Sequence, residues 1–285
     1  MQARIWGCRG SLASPGPETV KYGGNTSCVE VRPSEGPLII LDAGSGIQRL
    51  GLTLAGDHPG TVHLFLTHLH LDHLLGLGFF SPLWNPELEL HIWGPPSPVH
   101  SVEERIARYM SPPLFPVHLF DIPTRPMFHN APTDAWEIGS ARVQAHPVTH
   151  RGPTVGYRIE DAGHTLTYIP DHEPALGVDL SDVDPEWVSG YSLAQGTDVL
   201  LHDAQYTTQE YGARIGWGHS SVEHVVEFAR LARAKQLVMF HHDPLHSDEE
   251  LDDMLELAQK LWGEEGILPV LAHEDMAITF DTSQS

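Results

Sequence analysis

The sequence predicts a single α/β domain in which short buried strands alternate with amphipathic helices. Three observations carry this expectation: apolar runs of strand length recur along the whole chain, many of them stop at Asp or His, and two Ser-x-x-Glu signatures open amphipathic stretches. Composition points the same way. A chain of 285 residues with 41% hydrophobic and 19% charged content can bury a full core, and no repeat, low-complexity tract or linker divides it. The domain is therefore expected to span 1–285.

In chain order, the expected strands are Cys28–Val31, Leu38–Leu41, Val62–Leu66, Arg142–Ala145, Val155–Ile159, Thr165–Ile169, Val199–Leu201, Leu237–Phe240 and Val270–Ala272. Ser220 with Glu223 is expected to cap a helix reaching about Ala234, and Ser247 with Glu250 another reaching about Trp262. Between Gly94 and Pro132, prolines interrupt everything except a helix over Val102–Met110, so this stretch reads as an excursion over the site. Its Tyr109, Met110, Leu114, Phe115, Phe120 and Phe128 suit a pocket wall, a lid packed for stability or a homodimer contact, and the sequence leaves all three open. Gly23-Gly24 and Gly44-x-Gly46 read as turns.

Charge and termini narrow the partners. The formal charge is −22, from 38 acidic and 16 basic residues, so no cationic field holds a long phosphate backbone, and long nucleic acid is expected to be a poor partner. The first residues, Met1 to Trp6, lack an apolar signal core, and no run approaches the roughly 18 apolar residues of a membrane span. A cytoplasmic, soluble protein is expected. Cys8 and Cys28, the only cysteines, are expected to be buried free thiols, with a single bridge as the alternative.

The densest chemistry is His68-x-His70-x-Asp72-His73, four metal-ligating side chains within six residues directly after an apolar strand. Many of the 20 histidines must be surface or core residues, and it is the spacing here that sets this group apart. Imidazole and carboxylate suit zinc, and also manganese, iron or cobalt. Their crowding exceeds what one tetrahedral ion takes from so short a loop, so two divalent cations are expected. Strand ends converge on one edge in layered α/β proteins. His150, Asp171, Asp203 and His241 each stand where a later strand stops.

With these residues in this order, the chain resembles the metallo-β-lactamase fold superfamily and, within it, the ribonuclease Z-like phosphodiesterase branch. Gly23-Gly24-Asn25-Thr26-Ser27, Leu41-Asp42-Ala43-Gly44-Ser45-Gly46, Gly156-Tyr157-Arg158-Ile159 and Gly218-His219-Ser220 extend the resemblance over nearly the whole chain. It implies a four-layer αββα sandwich with its metal site at the edge of the two sheets. It further implies that His68, His70 and His150 hold one metal, that Asp72, His73 and His241 hold the other, and that Asp171 bridges them. Strand Leu237–Phe240 and Pro244 favour His241 over its neighbour His242, which would then be supporting or structural. Asp42 is placed to orient a ligand histidine.

In that branch a histidine matching His219, oriented by an acidic residue, assists phosphodiester cleavage; here the acid is Asp203, where ribonuclease Z has the longer Glu. Helix N-terminal amides beside His219 would also favour phosphate. Asp72, His219 and Asp203 are thus the catalytic candidates. Only 20 residues separate His150 from Asp171, room for two strands and a turn rather than the long tRNA-clamping arm that the resemblance implies there. The expected function is a dinuclear metal-dependent phosphodiesterase acting on a small phosphodiester such as a cyclic nucleotide or cyclic phosphate. The alternatives are a lactone or thioester hydrolase, which in this superfamily generally does without the Asp203–His219 pair, a tRNA 3′-processing endonuclease, and a metal-dependent binding or sensing protein.

Overall fold

Strand residues buried on both faces need a layer on each side, and the computed structural model supplies it. It describes residues 1–54, 60–263 and 266–280, so 281–285 of the expected domain lie outside the described residues. Strands β1 (Gln2–Gly7), β2 (Cys28–Arg32), β3 (Leu38–Leu41), β4 (Thr61–Phe65), β5 (Glu89–Gly94) and β6 (Met127–Asn130) fill the first half of the chain. The second half holds β7 (Trp136–Ile138), β8 (Ala141–Pro147), β9 (Val155–Asp161), β10 (His164–Ile169), β11 (Val199–Asp203), β12 (Gln236–Phe240), β13 (Val270–Leu271) and β14 (Ala277–Thr279). They form two seven-stranded sheets, ordered β14-β1-β2-β3-β4-β5-β6 and β13-β12-β11-β10-β9-β8-β7.

Alternation along each strand decides what meets what. Ile39, Leu41 and Phe65 of the first sheet face Tyr157, Leu201 and Phe240 of the second in one central core. Their neighbours point outward. Ile40 and Leu64 pack under α1 (Ile47–Leu54) and α2 (Val102–Tyr109), whose Leu50 and Ile106 are fully buried. Leu200 and Leu237 pack under α5 (Val222–Leu231) and α6 (Asp248–Trp262), the last of the helices, which also include the short α3 (Tyr191–Ala194) and α4 (Thr208–Tyr211). The result is the expected αββα sandwich. Among the described residues no helix is long and apolar enough to cross a membrane.

Several expectations need adjustment. The cap of α5 is Ser221, which accepts from the His224 amide, rather than Ser220 with Glu223. Ser220 is committed elsewhere: its amide donates to Asp203 and its hydroxyl to the His172 carbonyl. The Ser247–Glu250 box is present with both arms, and α2 carries an unanticipated one between Ser101 and Glu104. The 94–132 excursion is not all loop, because β6 returns to pair in parallel with β5 and extends the first sheet. Met110 and Phe115 are core residues, whereas Phe120 is 69% exposed. Between His150 and Asp171 the chain makes only the β9–β10 hairpin, turned at Ala162-Gly163 with both residues left-handed (φ 51° and 80°), as two-residue hairpin turns require. Cys8 and Cys28 are buried free thiols.

Candidate metal centre

Asp42, just beyond β3, organises the loop that follows β4. Its buried carboxylate accepts from the Thr67 amide at 2.8 Å, the Thr67 hydroxyl at 2.9 Å, His73 Nδ1 at 2.8 Å and the Tyr168 hydroxyl at 3.0 Å. Asp42 itself is left-handed (φ 61°), a conformation costing about 1–3 kcal/mol that its four contacts offset. The loop is thereby fixed from both sheets. His68, His70, Asp72 and His73 leave it toward the sheet edge, where β8, β10 and β12 deliver His150, Asp171 and His241.

Three groups of donor atoms converge; Asp203, His219 and His241 form one, and the other two share Asp171. In the first of these two, His70 Nδ1 lies 3.2 Å from His150 Nε2, and Asp171 Oδ2 lies 3.6 Å from both His68 Nε2 and His150 Nε2. In the second, His73 Nε2 is 3.2 Å from Asp72 Oδ2, 3.3 Å from His241 Nε2 and 3.0 Å from Asp171 Oδ1. His241 Nε2 is 3.2 Å from Asp72 Oδ2 and 3.3 Å from Asp171 Oδ1. A tetrahedron with bonds of about 2.0–2.1 Å has edges of about 3.3 Å. The two oxygens of Asp171 thus face different groups.

Besides His73 on Asp42, three further ligand rings are held by their other nitrogen. His150 Nδ1 donates to the Gly218 carbonyl at 2.7 Å, His241 Nδ1 to Gln205 Oε1 at 3.1 Å, and His68 Nδ1 to Thr67 Oγ1 at 3.1 Å. Such partners fix ring orientation and tautomer. Two close approaches leave no latitude: a Cβ on Gly10 would lie 2.4 Å from His241 Nδ1, and one on Gly218 would lie 2.4 Å from His150 Nδ1.

The donor set fits cations. His68 Nε2 and Asp171 Oδ1 are buried with no hydrogen-bond partner, and leaving such atoms unsatisfied is costly unless something binds them. Burial pushes the pKa of His68 well below the usual value and lowers those of His70 and His150, which keeps their lone pairs free. Burial alone would raise Asp72 and Asp171, but the imidazoles around them hold both well below the carboxylate range. For His73, burial is outweighed by Asp171, Asp72 and Asp42, which raise its pKa well above the ordinary value. A buried pocket this rich in carboxylate calls for positive charge.

Beside the second group, His219 donates through Nδ1 to Asp203 Oδ2 at 2.7 Å and stacks on His241 with ring centres 5.0 Å apart. The shorter Asp arm reaches because three backbone amides lock it: His172 and Gln205 at 3.0 Å and Ser220 at 3.3 Å. The Ser220 amide, which the sequence offered to a phosphate, is therefore used by Asp203. Burial would lower the His219 pKa, yet the Asp203 charge and hydrogen bond reverse this and raise it to about 9. His219, Ser11, Leu69 and Leu71 line a cavity of about 430 Å³ over Asp72, Asp171 and His241.

The structure thus brings His68, His70, Asp72, His73, His150, Asp171, His219, Asp203 and His241 to one sheet edge. His242 points away and donates to the Ala272 carbonyl at 2.8 Å. Residues without a local sequence signal complete the shell. Buried Glu173 accepts from the Tyr211 hydroxyl and from the amides of Gly216 and Gly218, which sets the loop that meets His150 and carries His219. Ser11 donates its amide to Asp72 Oδ2 at 2.7 Å.

Comparison with known proteins agrees with the fold. The family model described as "Beta-lactamase superfamily domain" matches residues 38–242. A ribonuclease Z of Thermococcus gammatolerans is 28% identical over 292 residues, covering 88% of each chain. Among solved structures, the short form of human tRNase Z superposes with a TM-score of 0.62 at 21% identity, covering 98% of this chain and 99% of that one. Zn²⁺-bound PqqB from Methylobacterium extorquens gives 0.66 at 18% identity, covering 98% and 100%. The ribonuclease relatives run against the expectation from net charge that long nucleic acid is a poor partner. The chain belongs to the beta-lactamase superfamily.

Proposed function

We propose that this chain is a dinuclear metal-dependent phosphodiesterase that acts on a small phosphodiester such as a cyclic nucleotide or cyclic phosphate. The observation that carries the reading is the Asp203–His219 pair beside two four-residue donor groups that share Asp171. His68, His70, His150 and Asp171 would hold one cation, and Asp72, His73, His241 and Asp171 the other. Zinc suits these donors, and the PqqB neighbour carries it. When bound, two such cations supply Lewis acidity and a water acidified toward a pKa of about 7.

The protein's own groups do the rest. Asp171, through its two oxygens, sets the spacing of the two donor groups. Asp203 takes the Nδ1 hydrogen of His219, so the ring's Nε2 is the atom left to hydrogen-bond a phosphoryl oxygen or pass a proton to the leaving oxygen. Asp42, Gln205 and Gly218 keep the ligand rings in place without touching substrate. Small size of the substrate is supported by the His150–Asp171 interval, which holds only a short loop and the β9–β10 hairpin. A second reading, tRNA 3′-processing, is favoured by the ribonuclease Z relatives.

Metal-loaded protein assayed against 2′,3′- and 3′,5′-cyclic nucleotides, bis-p-nitrophenyl phosphate, a lactone, a thioester and a precursor tRNA separates the readings. Small diesters are expected to give the highest kcat/KM. Preference for precursor tRNA would replace the reading by the endonuclease, and preference for the lactone or thioester would replace it by an ester hydrolase. Inactivity on every substrate would leave a binding protein.

A further inference from the structure

A second cavity, of about 380 Å³, opens beside the metal centre: His68 and His70 form one wall, and Arg105, Arg108 and Arg151 border it. With 38 acidic and 16 basic residues, positive side chains readily meet carboxylates, as Arg4, Arg49, Arg158, Arg214 and Lys235 do. Arg105, Arg108 and Arg151 have no ion-pair partner among the described residues. Two of them are instead anchored on backbone carbonyls, Arg105 on Ser101 and Pro95 and Arg151 on Gly216, so their remaining N–H groups are held in place but not consumed. The side chain of exposed Arg108, one helical turn from Arg105 on α2, makes no hydrogen bond among the described residues.

Three guanidinium groups, of which only Arg108 has a carboxylate acting on it, that of Glu104 one turn away, make this a place in a strongly negative molecule where an anion is attracted. Guanidinium donors match phosphate oxygens in paired, forked geometry. The other walls are apolar. Tyr109, its hydroxyl spent on the Leu75 carbonyl at 2.6 Å, and Leu114 offer a surface for a sugar or base rather than a second charge. The volume lies in the range of small-molecule sites.

We propose that this cavity is a second anion subsite, so that the substrate carries, besides the scissile phosphodiester, a terminal phosphate monoester held by Arg105, Arg108 and Arg151. The inference rests on the phosphodiesterase reading and narrows it to substrates with two phosphoryl groups. The test compares a nucleoside 2′,3′-cyclic phosphate with the same compound bearing a 5′-phosphate, using metal-loaded protein. The 5′-phosphorylated compound is expected to have about tenfold or higher kcat/KM, carried mainly by KM. That preference should fall to within about twofold in the Arg108→Ala/Arg151→Ala variant and remain intermediate in Arg108→Lys, which keeps the charge and loses the fork. Equal kcat/KM in the wild type, or a preference that survives in the double variant, overturns the subsite while leaving the phosphodiesterase reading intact. If neither compound is cleaved, the phosphodiesterase reading is decided by the wider substrate panel above, and calorimetric affinities for the same two compounds decide the subsite separately. Tighter binding of the phosphorylated one, lost in the double variant, upholds it; equal binding overturns it.

Discussion

Asp171→Ala is expected to lower bound metal from two ions per chain to one or fewer and to cut phosphodiester turnover by about 10³-fold or more. The size follows from the position of the residue: Oδ1 is 3.0 Å from His73 Nε2 in one donor group, and Oδ2 is 3.6 Å from His68 Nε2 and His150 Nε2 in the other. Removing it opens both groups at once. Lewis-acid catalysis contributes several kcal/mol, and each 1.4 kcal/mol or so is a factor of ten in rate. Elemental analysis by mass spectrometry and initial rates on bis-p-nitrophenyl phosphate read the two effects. Retention of two tightly bound ions by the variant would rule out the bridging role. Asp171→Asn keeps the shape and removes the charge, so it is expected to retain more metal than the alanine variant.

His219→Ala is expected to leave metal content unchanged while lowering turnover by about 10²–10⁴-fold, the usual contribution of a positioned acid or base. The separation between the two readouts is the point, because His219 lies against His241 yet is tied to Asp203 rather than to the proposed ligand groups. Equal activity in the variant would remove His219 from catalysis. Asp203 acts through it. Since the Asp203 charge raises the His219 pKa to about 9 against the lowering effect of burial, Asp203→Asn should let that pKa fall. The alkaline limb of the rate profile would then move to lower pH, which a merely structural residue would not cause.

What the sequence revealed, and what it concealed, follows from where each signal is stored. His68 to His73 were legible because four donors share one short loop, and His150, Asp171 and His241 because strands deliver them to a common edge. Gln205 and Glu173 were not. Each acts across tens of residues, Gln205 on His241 and Glu173 on Gly216 and Gly218, and neither stands in a pattern that marks its partner. The cap of α5 shows a subtler limit. Ser220 and Ser221 are both good caps locally, and the choice is made by the tertiary demand of Asp203 for the Ser220 amide. Strands β5, β6, β7 and β14 are absent from the expected set; β6, β7 and β14 are short edge elements with exposed residues, so their burial pattern carries little hydrophobic signal, whereas β5 is an interior strand with alternating burial. Arg105 and Arg108 share a helix spacing that the sequence displays, whereas the meeting with Arg151 exists only in the fold.

If two cations held around Asp171 drive phosphodiester cleavage, a metal titration will show it. Metal-free protein is loaded stepwise with zinc while cleavage of bis-p-nitrophenyl phosphate is followed, with bound metal measured at each step. The account predicts activity that rises with loading and reaches its plateau at two ions per chain. A plateau at one ion, or full loading with no cleavage, would contradict it.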